Sequence, residues 1–143
     1  MKIAIGADHG GFHLKEMIRG LVTDLGHEVH DMGCYSMESV DYPDIAKLVC
    51  AQVDTGVMDR GILICGTGIG MSMAANRYQH VRAALCHDHY TARMSREHNN
   101  ANVLCMGERV IGIGVADEIV RIWLEIEFSG GRHLGRIEQF SQC

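Results

Sequence analysis

A cysteine followed by three closely spaced glycines is the part of this sequence best suited to chemistry. The apolar run at residues 61–65 ends in Cys65, and Gly-Thr-Gly-Ile-Gly follows at residues 66–70. Glycines let the backbone turn tightly and direct several N–H groups at one point, which favours an anion such as a phosphate or a developing enolate. The same field favours the thiolate of Cys65, which makes it a candidate base. A cysteine that merely ends a buried strand is the alternative, and the position of Cys65 favours the active interpretation.

Three further groups of polar residues are candidates with weaker patterns. Asp8 and His9 directly follow the first apolar run, where an acid beside an imidazole can do acid/base work or orient hydroxyls. An acid at a helix N-terminus next to a solvated histidine explains that pair better when it is taken alone. Arg132 and Arg136 are four residues apart, so on a helix they would share one face and could clamp a phosphate. A solvated tail explains them too. The third group, at residues 98–100, ends a polar predicted helix, where C-terminal capping would explain it equally well.

The glycine loop also resembles the start of a dinucleotide-binding fingerprint. Asp88 ends the next predicted strand at about the right distance to bind a ribose. However, Met71 stands where the third glycine of that fingerprint belongs, and no Gly-Lys-Ser/Thr follows to make a nucleoside triphosphate loop. His87 and His89 form an HxH pair with no third metal ligand at a recognisable spacing, so we expect them to be surface histidines.

The elements that must position these residues alternate between short apolar runs and amphipathic segments. The pattern predicts strands at residues 2–6, 28–32, 61–65, 81–86 and 103–106. It predicts helices at residues 12–25, from about Pro43 to Asp54, and at 71–76, 89–98 and 115–128, with a partly helical tail. This alternation indicates one α/β domain over residues 1–143, a three-layer α/β/α sandwich around a parallel sheet. Ligands of such sheets bind beyond the carboxyl ends of the strands, which selects the loops at residues 7–11, 65–70 and 107–109.

Composition narrows the class of protein. The net charge of −5 argues against binding nucleic acid or anionic membranes, because there is no basic surplus to neutralise phosphates. No stretch approaches the roughly 20 apolar residues that a membrane helix needs. The six cysteines form no CxxC pair, so a zinc site of that kind is not expected. The N-terminus has no export signal, and we therefore expect a cytoplasmic protein with reduced thiols.

Joined in order, these motifs resemble the type B ribose-5-phosphate isomerase family, which includes galactose-6-phosphate and allose-6-phosphate isomerases. The matching stretches are IAIGADHGGFHLK, ESVDYPD, GILICGTGIGMSMAANR, MSREHNNANVL, GERVIG and GGRH, with Arg136 beyond the last. The resemblance implies a five-stranded parallel Rossmann-like sheet, no metal and no other cofactor. It also implies a homodimer, or a tetramer, with composite active sites in which the tail at about residues 129–143 contacts the partner subunit.

The resemblance further implies interconversion of ribose 5-phosphate and ribulose 5-phosphate through a cis-enediolate, with Cys65 as the base. Some members use a glutamate elsewhere, but here the cysteine is present. The groups implied to stabilise the enediolate are Thr67, Asn99 and the loop amides of Gly66, Gly68, Ile69 and Gly70. His98, helped by Asp8, would open the sugar ring, and Tyr42 would line the sugar site. The side chains implied to hold the phosphate are His9, Arg109, Arg132 and Arg136.

Three other functions stay open from the sequence. The substrate could be a hexose 6-phosphate such as that of allose or galactose, because one extra carbon only shifts where the phosphate must lie. A nucleotide-binding oxidoreductase could be built on the glycine loop and Asp88. A sugar-phosphate sensor on the same fold would bind its ligand without exchanging the C2 hydrogen with solvent. The presence of Cys65, Asp8 and His98 argues against a sensor, because a binder needs no base.

Overall fold

Strands and helices alternate along residues 1–141, the part of the chain that the computed structural model describes. The strands are β1 (Lys2–Ala7), β2 (Glu28–Asp31), β3 (Arg60–Cys65), β4 (Ala83–Leu85) and β5 (Val103–Gly107). The helices are α1 (Phe12–Asp24), α2 (Tyr42–Asp54), α3 (Ile69–Ala75), α4 (His89–Glu97), α5 (Ile113–Glu125) and α6 (Arg132–Phe140). The thiol predicted at Cys143 and the end of the predicted tail lie outside the described residues.

The five strands form one parallel sheet in the order β2-β1-β3-β5-β4. The predicted α/β class and five-stranded parallel sheet are confirmed. From β1 the chain crosses to β2 on one side and later to β3 on the other, so β1 and β3 flank a switch point. Loops that leave two adjacent strands in opposite directions open a crevice there, which is where ligands of such sheets bind.

The core lies on both faces of this sheet because successive strand side chains point to opposite faces. On one face, Ile62 and Ile64 of β3 pack with the fully buried Trp123 of α5. On the other face, Leu63 and Cys65 pack with residues of α2 and α3. Every residue of β3 and β5 is buried, as expected for strands covered on both faces. Among residues 1–141, no helix has the length and apolar character needed to cross a membrane.

Several predicted bounds were wrong by a few residues. The strand predicted at residues 81–86 is shorter and covers only Ala83–Leu85. At its first residue, the side chain of Asn76 bonds both the N–H and the C=O of Ala83, each at 2.9 Å. The helix predicted from residue 71 begins at Ile69, directly after the left-handed turn at Gly68, whose φ is +77°. The helix predicted over residues 115–128 begins earlier, at Ile113. It also ends earlier, at Glu125, because the backbone is extended at Ile126.

Candidate active site

Three loops meet at the carboxyl edge of the sheet, as the sequence predicted. The Asp8 N–H donates to the C=O of Ile64 at 3.2 Å, which joins the loop after β1 to the end of β3. The loop after β5 is joined to the same place, because the Glu108 N–H donates to the C=O of Cys65 at 3.0 Å. A Cβ at Gly10 would stand only 3.3 Å from the amide nitrogen of Gly66, so the loops after β1 and β3 are in close contact.

Cys65 lies inside this meeting point, with 5% of its surface exposed. The N–H of Gly68 donates to Cys65 Sγ at 3.0 Å, so a loop amide points its positive end at the sulfur. A Cβ at Gly68 would come within 2.5 Å of Leu85 Cδ1, and the left-handed φ also favours glycine there. The glycine is therefore needed to aim this amide at the sulfur of Cys65.

Other cysteines of the described chain are placed as ordinary core residues. Burial raises the pKa of Cys50 to about 12 and that of Cys86 to about 11. Burial also raises the pKa of Cys105, which lies within β5 and has no exposed surface. These thiols stay protonated at neutral pH and are poor bases.

Four of the predicted site residues surround the glycine loop. Asp8 begins a 3-10 turn and accepts the N–H of Gly10 at 2.9 Å. The Nδ1 atom of His9 accepts the N–H of Val40 at 3.3 Å, so the neutral ring carries its proton on Nε2. The ring of Tyr42 and the side chain of Arg109 lie against the loop itself. A Cβ at Gly70 would be 2.7 Å from Tyr42 Cζ, and one at Gly66 would be 3.5 Å from Arg109 Cδ.

We call this set of residues the carboxyl-edge cluster. Its members are Asp8, His9, Tyr42, Cys65, Gly66, Thr67, Gly68, Ile69, Gly70 and Arg109. They supply a thiol, a carboxylate, an imidazole, a guanidinium and a run of backbone amides around one crevice. Such a set can remove a proton from carbon and stabilise the negative charge that then develops on oxygen.

The remaining predicted site residues lie elsewhere in the chain. His98 follows the last turn of α4, and Asn99 comes next. The ring of His98 stacks on that of His133 in α6, with centroids 4.2 Å apart and planes 9° from parallel. Arg132 and Arg136 both lie on α6, as predicted, and both are exposed. We call His98, Asn99, Arg132 and Arg136 the amino-edge cluster.

The two clusters are at opposite edges of the sheet. Asn102, just after α4, accepts the N–H of Gly61 at the beginning of β3 through its backbone C=O at 2.8 Å. Its side chain bonds the N–H of Arg82 at 2.7 Å, just before β4. Cys65 is four residues along β3 from Gly61, about 13 Å away at the usual rise of a strand. Within one chain, the two clusters therefore lie near opposite ends of β3.

Asp88 was the candidate ribose ligand of a nucleotide site, and His87 and His89 were the candidate ligands of a metal site. Asp88 caps α4, accepting the N–H of Thr91 at 2.7 Å, and this bond lowers the pKa of the carboxyl. A carboxylate engaged in a cap is poorly placed to bind a ribose. His87 and His89 are both exposed, as expected. Within residues 1–141, no group of three or more His, Cys, Asp or Glu side chains is arranged to hold a metal ion.

Sequence reasoning assigned no role to two residues that the structure places beside the candidate site. The carboxylate of Glu108 accepts the N–H of Leu14 in α1 at 2.9 Å, which anchors the loop that carries Arg109. His133 stacks on His98, and burial lowers its pKa, as do the charges of His98 and Arg132. The only available signal was that both stand inside the GERVIG and GGRH motifs.

Comparison with known proteins connects this geometry to a chemistry. The chain matches the Ribose/Galactose Isomerase family over residues 3–140. It is 48% identical over 137 residues to ribose-5-phosphate isomerase B of Escherichia coli, covering 96% of this chain and 92% of that protein. It is 43% identical over 143 residues to D-erythrulose-4-phosphate isomerase of Pectobacterium atrosepticum, covering 97% and 92%. A solved structure of Clostridium thermocellum ribose-5-phosphate isomerase B superposes with a TM-score of 0.98 at 52% identity, covering 99% and 96%.

Proposed function

Because the chain belongs to the ribose/galactose isomerase family, we propose that it interconverts ribose 5-phosphate and ribulose 5-phosphate through a cis-enediolate. The protein is an isomerase, an intramolecular oxidoreductase that acts on a sugar phosphate. The observation that carries the proposal is the Gly68 N–H bond to Cys65 Sγ at 3.0 Å inside the glycine loop. This bond supports the proposal because it brings the sulfur of the proposed base beside backbone amides that can stabilise negative charge.

In the proposed reaction the Cys65 thiolate removes the proton from C2 of open-chain ribose 5-phosphate. The electrons move onto O1 and give the enediolate, and the same thiol then returns the proton to C1. A proton passes from O2 to O1, so that the aldose becomes the ketose without an external oxidant or reductant. Thr67 and the loop amides, with Asn99, stabilise the charge on the enediolate oxygens, which lowers the barrier most if these groups are held in place beforehand.

The reacting sugar must first leave its ring form. We propose that His98, helped by Asp8, opens the furanose by moving a proton between the C1 hydroxyl and the ring oxygen. Asp8 and His98 lie at opposite edges of one chain, so this step requires two copies. The proposed active site therefore combines the carboxyl-edge cluster of one subunit with the amino-edge cluster of another.

Exposed apolar side chains support a homodimer of this kind. Ile69 and Met73 of α3 are 48% and 64% exposed beside the carboxyl-edge cluster. Leu134 and Phe140 of α6 are 48% and 49% exposed on the helix that carries the two arginines. A two-fold axis that sets α6 of one subunit against α3 of its partner would cover both groups and form two equivalent sites. This arrangement gives the predicted contact between the tail and the partner subunit, and a tetramer would contain it twice.

Overall identity does not decide the substrate. The relatives named for ribose-5-phosphate and D-erythrulose-4-phosphate isomerases are 48% and 43% identical to this chain. We test the proposal by comparing kcat/KM for ribose 5-phosphate, erythrulose 4-phosphate, allose 6-phosphate and galactose 6-phosphate. Ribose 5-phosphate should give the highest value, and a higher value for any other sugar phosphate would replace it as substrate. Adding NAD(H) should not raise the melting temperature, as it would for the alternative, a nucleotide-binding oxidoreductase.

The phosphate anchor leads to a prediction about Arg136. Arg136→Ala should raise KM for ribose 5-phosphate about tenfold or more, while slow turnover of unphosphorylated ribose stays within twofold of the wild type. The reason is that a phosphate clamp binds a group that ribose itself lacks. Arg121→Ala is the matched control, because it removes an exposed arginine that pairs with Asp117, at 2.7 Å on the same helix. Equal losses on both sugars would contradict the role.

A further inference from the structure

Arg96 is a buried arginine just before His98 in the SREHNN motif, with 4% of its surface exposed. Its Nη1 atom donates to the C=O of Ala101 at 2.6 Å and to Oδ1 of Asn100 at 3.0 Å. Its Nε atom donates to the C=O of Ile126 at 3.2 Å. One guanidinium thus spans two separate stretches of chain.

These two stretches carry the amino-edge cluster. Asn100 and Ala101 directly follow His98 and Asn99, and Asn100 adopts a left-handed φ of 46° that turns the chain sharply there. Ile126 begins the connection from α5 to α6, the helix that carries Arg132 and Arg136. The planar fork of a guanidinium fixes the direction of its bonds as well as their length. Arg96 therefore sets the distance between the end of α4 and the connection to α6.

We propose that Arg96 is the positioning residue of the amino-edge cluster. It holds His98 and Asn99 in register with Arg132 and Arg136, so that ring opening and phosphate binding act on the same substrate molecule. Arg96 touches no substrate and acts only through these residues. The inference rests on the proposed function for its kinetic consequence, while its structural consequence stands by itself.

The chain offers a matched control in Arg60. Arg60 is also buried, with 6% of its surface exposed. Both guanidinium groups lie over the ring of Trp123, that of Arg60 at 5.3 Å from the ring centroid and that of Arg96 at 5.8 Å. The bonds of Arg60 go to the C=O groups of Trp123 and Leu124 at 2.7 and 3.1 Å, and its nearest carboxylate is the exposed Glu127 at 4.0 Å. None of these bonds joins α4 to the connection before α6. Its loss should cost stability without moving His98.

The test compares Arg96→Ala with Arg60→Ala. Both should melt several degrees below the wild type, since each leaves buried carbonyl groups without a donor. Arg96→Ala should raise KM for ribose 5-phosphate by about tenfold or more, because small displacements of binding groups are costly. Arg60→Ala should keep KM within twofold of the wild type. Equal KM changes in the two variants, or an unchanged KM in Arg96→Ala, would overturn the inference.

A second measurement separates positioning from general damage. If Arg96 acts through the phosphate clamp, its KM effect should shrink to threefold or less in an Arg136→Ala background, because interacting residues are not additive. A full effect in that background would overturn the inference. Should Arg96→Ala fail to fold, Asn100→Gly removes one acceptor of the guanidinium while glycine keeps the left-handed φ. It should raise KM two- to fivefold, and an unchanged KM would count against the proposal.

One readout does not depend on turnover. The ¹H and ¹³C shifts of the His98 imidazole report on its stacking with His133 and should change in Arg96→Ala but not in Arg60→Ala. If the wild type isomerises no sugar phosphate, the proposed function fails, and these shifts still decide the structural role of Arg96. If the wild type is active and the His98 shifts are the same in both variants, the positioning role is wrong while the proposed function stands.

Discussion

Cys65→Ala is expected to lower kcat by about 10²–10⁴-fold, the range found for a positioned acid or base. Cys65 Sγ accepts the Gly68 N–H at 3.0 Å inside the glycine loop. Substrate affinity should change little, because the thiol acts on a C–H bond and the phosphate is held by other groups. The measurement is steady-state turnover of ribose 5-phosphate, with affinity obtained separately by calorimetry.

Cys86→Ala is the matched control for this prediction. It also removes a buried thiol, but burial raises the pKa of that thiol to about 11 and keeps it protonated. We expect kcat within twofold of the wild type and a comparable small loss of stability. Cys65→Ala should also abolish exchange of solvent hydrogen into ribulose 5-phosphate. If Cys65→Ala turned over at near the wild-type rate, Cys65 would not be the base.

Mixing two inactive variants should restore activity to about a quarter of that of the wild type. Cys65→Ala damages the carboxyl-edge cluster and His98→Asn the amino-edge cluster, and the two clusters lie about 13 Å apart along β3 of one chain at the usual strand rise. In a mixed two-fold dimer, one site carries both changes and the other carries neither. Random exchange makes about half of the dimers mixed, and half of their sites are intact, which gives about a quarter.

The control mixture pairs Cys65→Ala with Asp8→Asn. Asp8 and Cys65 belong to the same cluster, so every site of a mixed dimer keeps one damaged residue and no activity should return. Native mass spectrometry measures subunit exchange in both mixtures. If subunits exchange and Cys65→Ala with His98→Asn stays inactive, the proposed division of the site between two chains is wrong. If activity returned in the control mixture, Asp8 and Cys65 of one site would have to come from different subunits. That result would also contradict the proposed division.

The sequence by itself determined the class of fold and the carboxyl edge of the site. The continuous apolar run before Cys65 indicates a strand buried on both faces, and β3 is buried throughout. The glycines after it identify a tight loop, which the left-handed φ of +77° at Gly68 bears out. These features are local, because side-chain periodicity and backbone freedom act over a few neighbouring residues. The pairing of Tyr42 with the glycine loop came only from the resemblance to the isomerase family.

Only the tertiary structure decided the order of the strands and the separation of the two clusters. Periodicity indicates which face of a strand is buried, but pairing joins residues far apart in sequence, so β5 lies between β3 and β4 without a local signal. The roles of Arg60 and Arg96 were hidden for the same reason. A charged residue in a polar motif normally predicts exposure, and these two are buried because α5 and its connection to α6 bring carbonyl groups from more than 25 positions away. That long-range packing determines where His98 lies, and with it the proposed division of the site between two subunits.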